Sequence, residues 1–176
     1  MSTLRDGARP MIRVDLDNDM QVAITAKGLE RAIEYRGQWE GTWTKRNYQT
    51  DRENLNFPAF VAQQSESLGA EVAVAKYFNK AVNLNGYKDK ADVGTNLEVK
   101  WTKWRDGSLI LRDHDRATDI AILVTGSMPR YYVCGWIPIS VARRPNCQRS
   151  DGSWWIGQQD LHPMVNFARS SYANQI

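Results

Sequence analysis

The segment Ala91-Asp-Val-Gly-Thr-Asn-Leu-Glu-Val-Lys-Trp101 decides the fold of this 176-residue chain. Apolar residues flank a Gly-Thr-Asn break, a pattern that predicts two strands joined by a tight turn. Because side chains alternate along a strand, Glu98 and Lys100 share one face. The turn returns the chain antiparallel and brings Asp92 opposite or diagonal to that pair. Two carboxylates and one ammonium therefore converge on a patch whose oxygen ligands suit hard divalent ions such as Mg²⁺.

The helix before this hairpin carries a second signal. The sequence predicts a helix over residues 58–80, with Pro58 in its first turn. Glu71 falls inside the apolar arc of this helix, where a carboxylate is costly unless it is paired, protonated or bound to a metal. Two interpretations stay open at this point: Glu71 is a ligand beside the hairpin, or it forms a salt bridge with an arginine from another element. By itself, the Glu98/Lys100 pair is also typical of a solvated strand face.

The N-terminal third of the chain predicts a hairpin and a helix. Residues 11–16 and 20–25 alternate as strands do, and the turn formers of residues 17–19 separate them. Helical spacing follows over residues 27–39, with Thr25 as a cap. The residues expected on its inner face are Leu29, Ala32 and Ile33. Residues 41–57 show no period and are interpreted as a loop.

Three further strands are predicted after the hairpin. They cover residues 108–112, 120–125 and 131–137, and the second is apolar at nearly every position, which is typical of a central strand covered on both faces. The run Asp113-His-Asp-Arg116 resembles acid/base machinery. The sequence favours a polar turn there, because nothing fixes it to the hairpin. In the tail, the pair Arg143-Arg144 is interpreted as a phosphate contact or, more simply, a solvated loop.

Composition excludes little but sets the environment. The net charge of +3 is compatible with an anionic partner without establishing one. Cys134 and Cys147 lack metal-site spacing and predict free thiols, and a zinc site shared with His114 and His162 has no support from spacing. No apolar run is long enough to span a bilayer, so we expect no membrane partner and a cytoplasmic protein.

The order Glu71, Asp92 and then Glu98-Val99-Lys100 resembles the PD-(D/E)XK, or restriction-endonuclease-like, nuclease superfamily of phage and bacterial type. The resemblance covers about residues 60–138. It implies an α/β (α+β) fold with a mixed central β-sheet flanked by helices. We expect one domain over residues 1–176, formed by an N-terminal hairpin and helix extension (1–57), a core (58–138) and a loop-rich tail (139–176). Two departures stand out: Ala91 replaces the motif's proline, and residues 114–118 are too few for the helix between the third and fourth core strands.

The resemblance also implies a chemistry, the hydrolysis of phosphodiester bonds in DNA with Mg²⁺ or Mn²⁺. Glu71, Asp92, Glu98 and the backbone carbonyl of Val99 would hold the ion, which would activate a water. Lys100 would orient that water and offset charge on the transition state.

Basic and aromatic residues near the hairpin are the expected nucleic-acid contacts, namely Lys88, Lys90, Lys103, Trp104 and Arg105. Trp104 either stacks on a base or sugar or packs under a loop. Two other functions stay open: an inactive nuclease-fold module that binds nucleic acid or serves a phage structure, and an interaction protein without a nucleic-acid partner. The sequence leaves undecided whether cleavage is endonucleolytic and whether the protein acts as a homodimer.

Overall fold

A computed structural model of the protein describes residues 10–40, 56–82, 84 and 90–176. The fold is mixed α and β, with a mixed central sheet flanked by helices. Its helices and strands are, in chain order, β1 Ile12–Asp15, α1 Asn18–Glu34, α2 Arg36–Trp39, α3 Phe57–Phe78, β2 Leu97–Thr102, β3 Leu109–Leu111, β4 Ile120–Ser127, β5 Arg130–Pro138, α4 Ile139–Ala142 and β6 Trp154–Ile156. Short 3-10 helices follow at Pro145–Cys147, Gln158–Asp160, Met164–Arg169 and Ala173–Gln175.

The central sheet has the strand order β1-β5-β4-β2. Strand β5 is antiparallel to both β1 and β4, and β2 runs parallel to β4. Along β4, Ile120 and Ile122 join the apolar cluster on the α3 side, while Ala121 and Leu123 join a second cluster under β3 and β6. This alternation explains why β4 is apolar throughout, and it confirms the prediction of a central strand covered on both faces.

Helix α3 lies between the sheet and α1, and two glycines permit this close packing. A Cβ on Gly69 would lie 2.2 Å from the Tyr131 hydroxyl of β5, and a Cβ on Gly28 of α1 would lie 2.1 Å from Ser65 Oγ of α3. The Asn56 side chain caps the start of α3, and Asn79 ends it in the left-handed conformation at φ 52°. The predicted helix over residues 58–80 is confirmed.

The N-terminal hairpin prediction is wrong. Only Ile12–Asp15 forms a strand, and the second predicted strand lies inside α1. The Asp17 carboxylate accepts a hydrogen bond from the Met20 amide, so the turn-forming run caps a helix instead of closing a hairpin. The predicted cap Thr25 is a mid-helix residue whose hydroxyl bonds the Gln21 carbonyl.

The inner face of α1 also differs from the prediction. Leu29 and Ile33 are 44% and 58% exposed, whereas Gly28 and Arg31 are buried against α3 together with the correctly predicted Ala32. The close approach required a small residue, so packing outweighed hydrophobicity in choosing the buried face. The loop predicted over residues 41–57 lies almost wholly outside the described residues.

The Ala91–Trp101 hairpin is shorter than predicted. Its first strand is reduced to Val93, which exchanges two backbone hydrogen bonds with Leu97 (3.1 and 3.2 Å). Beyond β2 the chain crosses to the parallel strand β4 through residues 103–119, which contain β3 and turns but no helix. The segment is thus too short for the helix that the resemblance implied there, as expected, and its strand β3 pairs with β6 from the tail.

The tail packs against the sheet and completes its core. Met164 and Phe167 belong to the cluster on the α3 side, and the Phe167 ring meets Trp136 of β5 edge-on at 5.0 Å. The predicted loop-rich tail is thus a series of short 3-10 helices with one strand. No helix in the described part of the chain is long and apolar enough to cross a membrane.

The α1–α3 contact makes Gly28→Ala a sensitive test of this packing. In most mid-helix positions alanine is about 1 kcal/mol better than glycine. Here its methyl group would clash with Ser65, so we expect a loss of ~1–3 kcal/mol in the free energy of unfolding, measured by urea titration. Val22→Ala on the exposed side of α1 is the control and should change stability by less than ~1 kcal/mol. A stabilised Gly28→Ala protein would contradict the packing.

Candidate active site

The candidate site surrounds β2, the edge strand of the sheet. The side chains of Leu97 and Val99 point toward α3, so those of Glu98 and Lys100 point to the opposite face, as the alternation predicted. Glu71 of α3 therefore approaches β2 from the face opposite to Glu98 and Lys100. The three acidic positions of the motif do not share one face of the sheet.

Asp92 lies at the open edge of β2, between these two faces. Its Oδ2 accepts a hydrogen bond of 2.8 Å from the Val99 amide. In a longer hairpin the Ala91 carbonyl would take this amide, so the carboxylate replaces a missing ladder bond. Since the N–H and C=O of one strand residue point to the same side, the Val99 carbonyl also faces this edge. Asp92 and the Val99 carbonyl thus lie at the same edge of β2.

Lys100 is held between two carboxylates. Its Nζ lies 2.8 Å from Glu98 Oε1 and 2.7 Å from Asp115 Oδ1. The Lys100 and Glu98 side chains are 20% and 19% exposed, while that of Asp115 is 2% exposed. Burial opposes the charge on Lys100, but Glu98 and Asp115 outweigh it and raise the pKa of Lys100 above its usual value. Lys100 is therefore an ammonium at neutral pH, suited to stabilise negative charge and unsuited to act as a base.

Glu71 is paired with an arginine, the alternative that the sequence left open. Arg31 of α1 donates from Nη1 and Nη2 to the two carboxylate oxygens of Glu71, at 2.9 and 3.2 Å. Both side chains are buried. Burial raises the pKa of Glu71, and the two bonds from Arg31 oppose that shift. With both oxygens engaged, Glu71 is placed as a structural partner of Arg31, and its role as a metal ligand has no support in this geometry.

Asp92 and Glu98 share an electrostatic environment that disfavours their charged forms. Burial, followed by the charge of Glu71, raises the pKa of Asp92 to about 7. Burial also raises the pKa of Glu98 to about 7, with Asp92 contributing to the shift and Lys100 opposing it. Each of these carboxylates therefore holds a proton readily near neutral pH unless a cation replaces it.

Sequence reasoning missed two members of this site. Arg31 lay in a predicted helix beside the inward-facing Ala32, and that position was the available signal. Asp115 lay in the run that was interpreted as a polar turn. It is a turn residue, but its carboxylate binds Lys100 and accepts from the Arg112 amide at 2.6 Å. Arg143 is no phosphate contact in this arrangement, because its guanidinium donates to the backbone carbonyls of residues 112, 113 and 115.

The expected nucleic-acid contacts lie on the surface. Lys90, Lys103 and Arg105 are exposed, and Lys88 lies outside the described residues. Trp104 is 64% exposed, so it does not pack under a loop. Because β2 ends at Thr102, Trp104 lies in the turn that follows the strand.

The donor set fits Mg²⁺ or Mn²⁺ only as a partial ligand sphere. No group of three or more His, Cys, Asp or Glu side chains in the described ranges is arranged to hold a metal ion. The oxygen donors that remain are Asp92, the Glu98 oxygen turned away from Lys100 and the Val99 carbonyl. Mg²⁺ is commonly held by one or two carboxylates, with water and substrate phosphate completing its sphere. The residues present fit that mode of binding.

Comparisons with known proteins identify no relative. No protein-family model, no curated protein and no solved structure matches this chain.

The raised pKa of Asp92 predicts how metal-free stability depends on pH. The folded state keeps this proton up to about pH 7, whereas an unfolded Asp loses it near pH 4, so stability falls as pH rises through that window. In Asp92→Asn this component is absent. We expect the variant to gain stability relative to wild type by ~1 kcal/mol for each pH unit between about 4 and 7, measured by urea titration in EDTA. Asp113→Asn, an exposed residue, controls for loss of a charge. Parallel stability curves for Asp92→Asn and wild type would contradict the assignment.

The Arg31–Glu71 pair predicts a large effect of Glu71→Gln. Removing one partner leaves a buried charge without compensation, so the metal-free variant should lose ~3 kcal/mol in the free energy of unfolding. The double variant Arg31→Met/Glu71→Met removes both charges and should recover most of that loss. Glu40→Gln breaks the exposed pair with Arg36 and should cost less than ~1 kcal/mol. A Glu71→Gln protein as stable as wild type would show that the pair is not structural.

Proposed function

We propose that this protein is a divalent-metal-dependent nuclease that hydrolyses phosphodiester bonds in DNA, with a core of the restriction-endonuclease-like type. One observation carries the proposal. Four carboxylates, Glu71, Asp92, Glu98 and Asp115, face two cations, Arg31 and Lys100, around the edge of β2. When all six groups are ionised, two negative charges are left over. A single divalent cation supplies the charge that this cluster lacks.

The site offers the parts that phosphodiester hydrolysis requires. A bound Mg²⁺ or Mn²⁺ would polarise the phosphate and lower the pKa of a water. Asp92, Glu98 and the Val99 carbonyl would hold the ion. The attacking water forms a new P–O bond, the leaving oxygen departs as the other P–O bond breaks, and the ammonium of Lys100 stabilises the charge that builds on the phosphate oxygens. The water that the ion would activate would lose its proton to solvent, and the leaving oxygen would take one up from solvent.

Asp115 supports Lys100 in this proposal. A Glu98 carboxylate that also held the ion would hold Lys100 less firmly than it does through Oε1 here. Asp115 is buried and is fixed by the Arg112 amide, so it retains the ammonium in place. This arrangement separates the residue that holds metal from the residue that positions the lysine.

A second function is an inactive nuclease-fold module that binds nucleic acid. The observation that favours it is the engagement of Glu71 by Arg31, which leaves two side-chain carboxylates for an ion. The third function, a protein interaction module without a nucleic-acid partner, has no feature of the site in its favour.

Cleavage assays separate these functions. Wild-type protein should cut labelled DNA with Mg²⁺ or Mn²⁺ and not with EDTA. Ca²⁺ should support binding with little cutting, because its looser coordination positions water poorly. We expect Asp92→Asn, Glu98→Gln and Lys100→Met to reduce the rate by ~10²-fold or more while circular dichroism shows intact folds. Asp113→Asn should cut like wild type. Metal-dependent cutting by purified Asp92→Asn at the wild-type rate would overturn the site, and absence of cutting with retained DNA binding would favour the inactive module.

A further inference from the structure

Two tryptophan rings are exposed near the β3–β6 pair, Trp104 in the turn before β3 and Trp155 in β6. Trp104 is 64% exposed and Trp155 is 40% exposed. A cation lies over each ring: Lys103 Nζ is 4.8 Å from the centroid of Trp104, and the guanidinium carbon of Arg149 is 5.3 Å from that of Trp155. Large aromatic rings are usually buried, so a repeated pairing of an exposed ring with a cation indicates a surface that contacts a partner.

The antiparallel pairing of β3 with β6 determines that Trp155 is exposed. Trp155 pairs with Ile110 in the β3–β6 register, and the flanking residues Leu109, Leu111 and Ile156 are buried. Alternation therefore turns Trp155 outward. Its Nε1 donates to Ser153 Oγ at 2.9 Å, and this hydroxyl contacts the Asp151 carboxylate. The ring is held in one orientation before any partner arrives.

The turn that bears Trp104 is fastened to the chain that follows β6. Gln158 donates from Nε2 to the carbonyls of Arg105 and Gly107, at 2.8 and 3.1 Å. The Gly107 amide in turn donates to the Trp104 carbonyl. The turn that bears Trp104 is therefore joined by hydrogen bonds to the segment that follows Trp155 and β6.

This surface is also connected to the candidate active site. Asp115 binds Lys100 through one oxygen and accepts from the Arg112 amide through the other. The guanidinium of Arg112 pairs with Asp151, the residue that supports Ser153 under Trp155, at 3.4 Å. The same short loop thus contacts Lys100 and the support of the tryptophan.

We propose that Trp104 and Trp155, with Lys103 and Arg149, form a stacking surface for the unpaired bases of single-stranded nucleic acid. The proposal deepens the proposed nuclease function and rests on it for the nature of the substrate. Flat rings stack on bases of any sequence, and the adjacent cations neutralise backbone phosphates. A stacking surface that is linked to Lys100 through Asp115 and Arg112 would select substrates with a single-stranded segment near the bond that is cut.

Binding measured without cleavage tests this surface. The parent protein is Glu98→Gln in EDTA, and the probe is a fluorescein-labelled oligothymidine whose anisotropy is titrated. Adding Trp104→Ala or Trp155→Ala should weaken its binding at least about 5-fold each, since the loss of one stacked base has about that effect. Trp104→Phe and Trp155→Phe should retain most of the affinity. Val22→Ala and Val165→Ala, which remove exposed apolar side chains elsewhere, should leave it unchanged.

A duplex of the same length provides the second arm. Its affinity should fall less than that of the single strand in both alanine variants, because paired bases are not available for stacking. Unchanged oligothymidine binding in the alanine variants, equal losses for duplex and single strand, or no binding by the parent would each overturn the surface. Tryptophan-dependent binding by a wild-type protein that never cuts DNA would remove the nuclease function and leave the surface standing. Cutting of DNA by wild-type protein, together with oligothymidine binding that does not depend on the tryptophans, would overturn the surface and leave the nuclease function standing.

Discussion

Charge compensation inside the protein is the constraint on which the rest of this structure depends. Arg31 and Glu71 form a buried pair that joins α1 to α3, and their burial is tolerable only because two hydrogen bonds connect them. The close α1–α3 contact at Gly28 brings Arg31 within reach of Glu71. Lys100 is compensated in the same way by Glu98 and Asp115. Asp92 is the exception, since its carboxylate has a backbone amide but no direct ion pair among the described contacts. Asp92, at the open edge of β2, is therefore a carboxylate that keeps a proton near neutral pH unless a cation replaces it.

Local patterns in the sequence predicted the elements whose burial is periodic. The continuous apolar run of β4 follows from the burial of both its faces. The apolar arc of α3 follows from the burial of one side of the helix. The alternation of β2 correctly separated Glu98 and Lys100 from Val99. The same reasoning identified Glu71 as a buried carboxylate but could not choose its partner. That choice is made by α1, whose buried face was predicted incorrectly because a glycine and an arginine occupy it in place of leucine and isoleucine.

The remaining features depend on contacts between residues distant in sequence, which no local pattern reports. The run of turn formers that begins at Asp17 suits either a hairpin turn or the start of a helix. The structure has the helix, because the Asp17 carboxylate caps α1. The β3–β6 pairing joins residues 109–111 to residues 154–156. Because these segments are far apart in sequence, no local pattern predicted that the tail contributes a strand. Asp115 belongs to the site because that pairing and Arg143, which donates to three backbone carbonyls of the 112–115 loop, hold the loop against Lys100. The sequence correctly predicted that Asp115 lies in a polar turn, but not that it contacts Lys100.

The position of β2 at the sheet edge leaves backbone groups of this strand available to the proposed metal site. The amides and carbonyls of an interior strand form hydrogen bonds with two neighbouring strands. Strand β2 has one long neighbour, β4, so the Val99 amide and carbonyl face the edge at which Asp92 lies. Beyond Thr102 the chain must cross to the parallel strand β4, and a crossover of this kind requires a substantial excursion. Here the connection contains β3. Trp104 lies at its start, and Asp115, near its end, accepts a hydrogen bond from Lys100. The crossover that leaves the edge of β2 open therefore also carries Trp104, and its Asp115 loop contacts Lys100 and, through Arg112, Asp151.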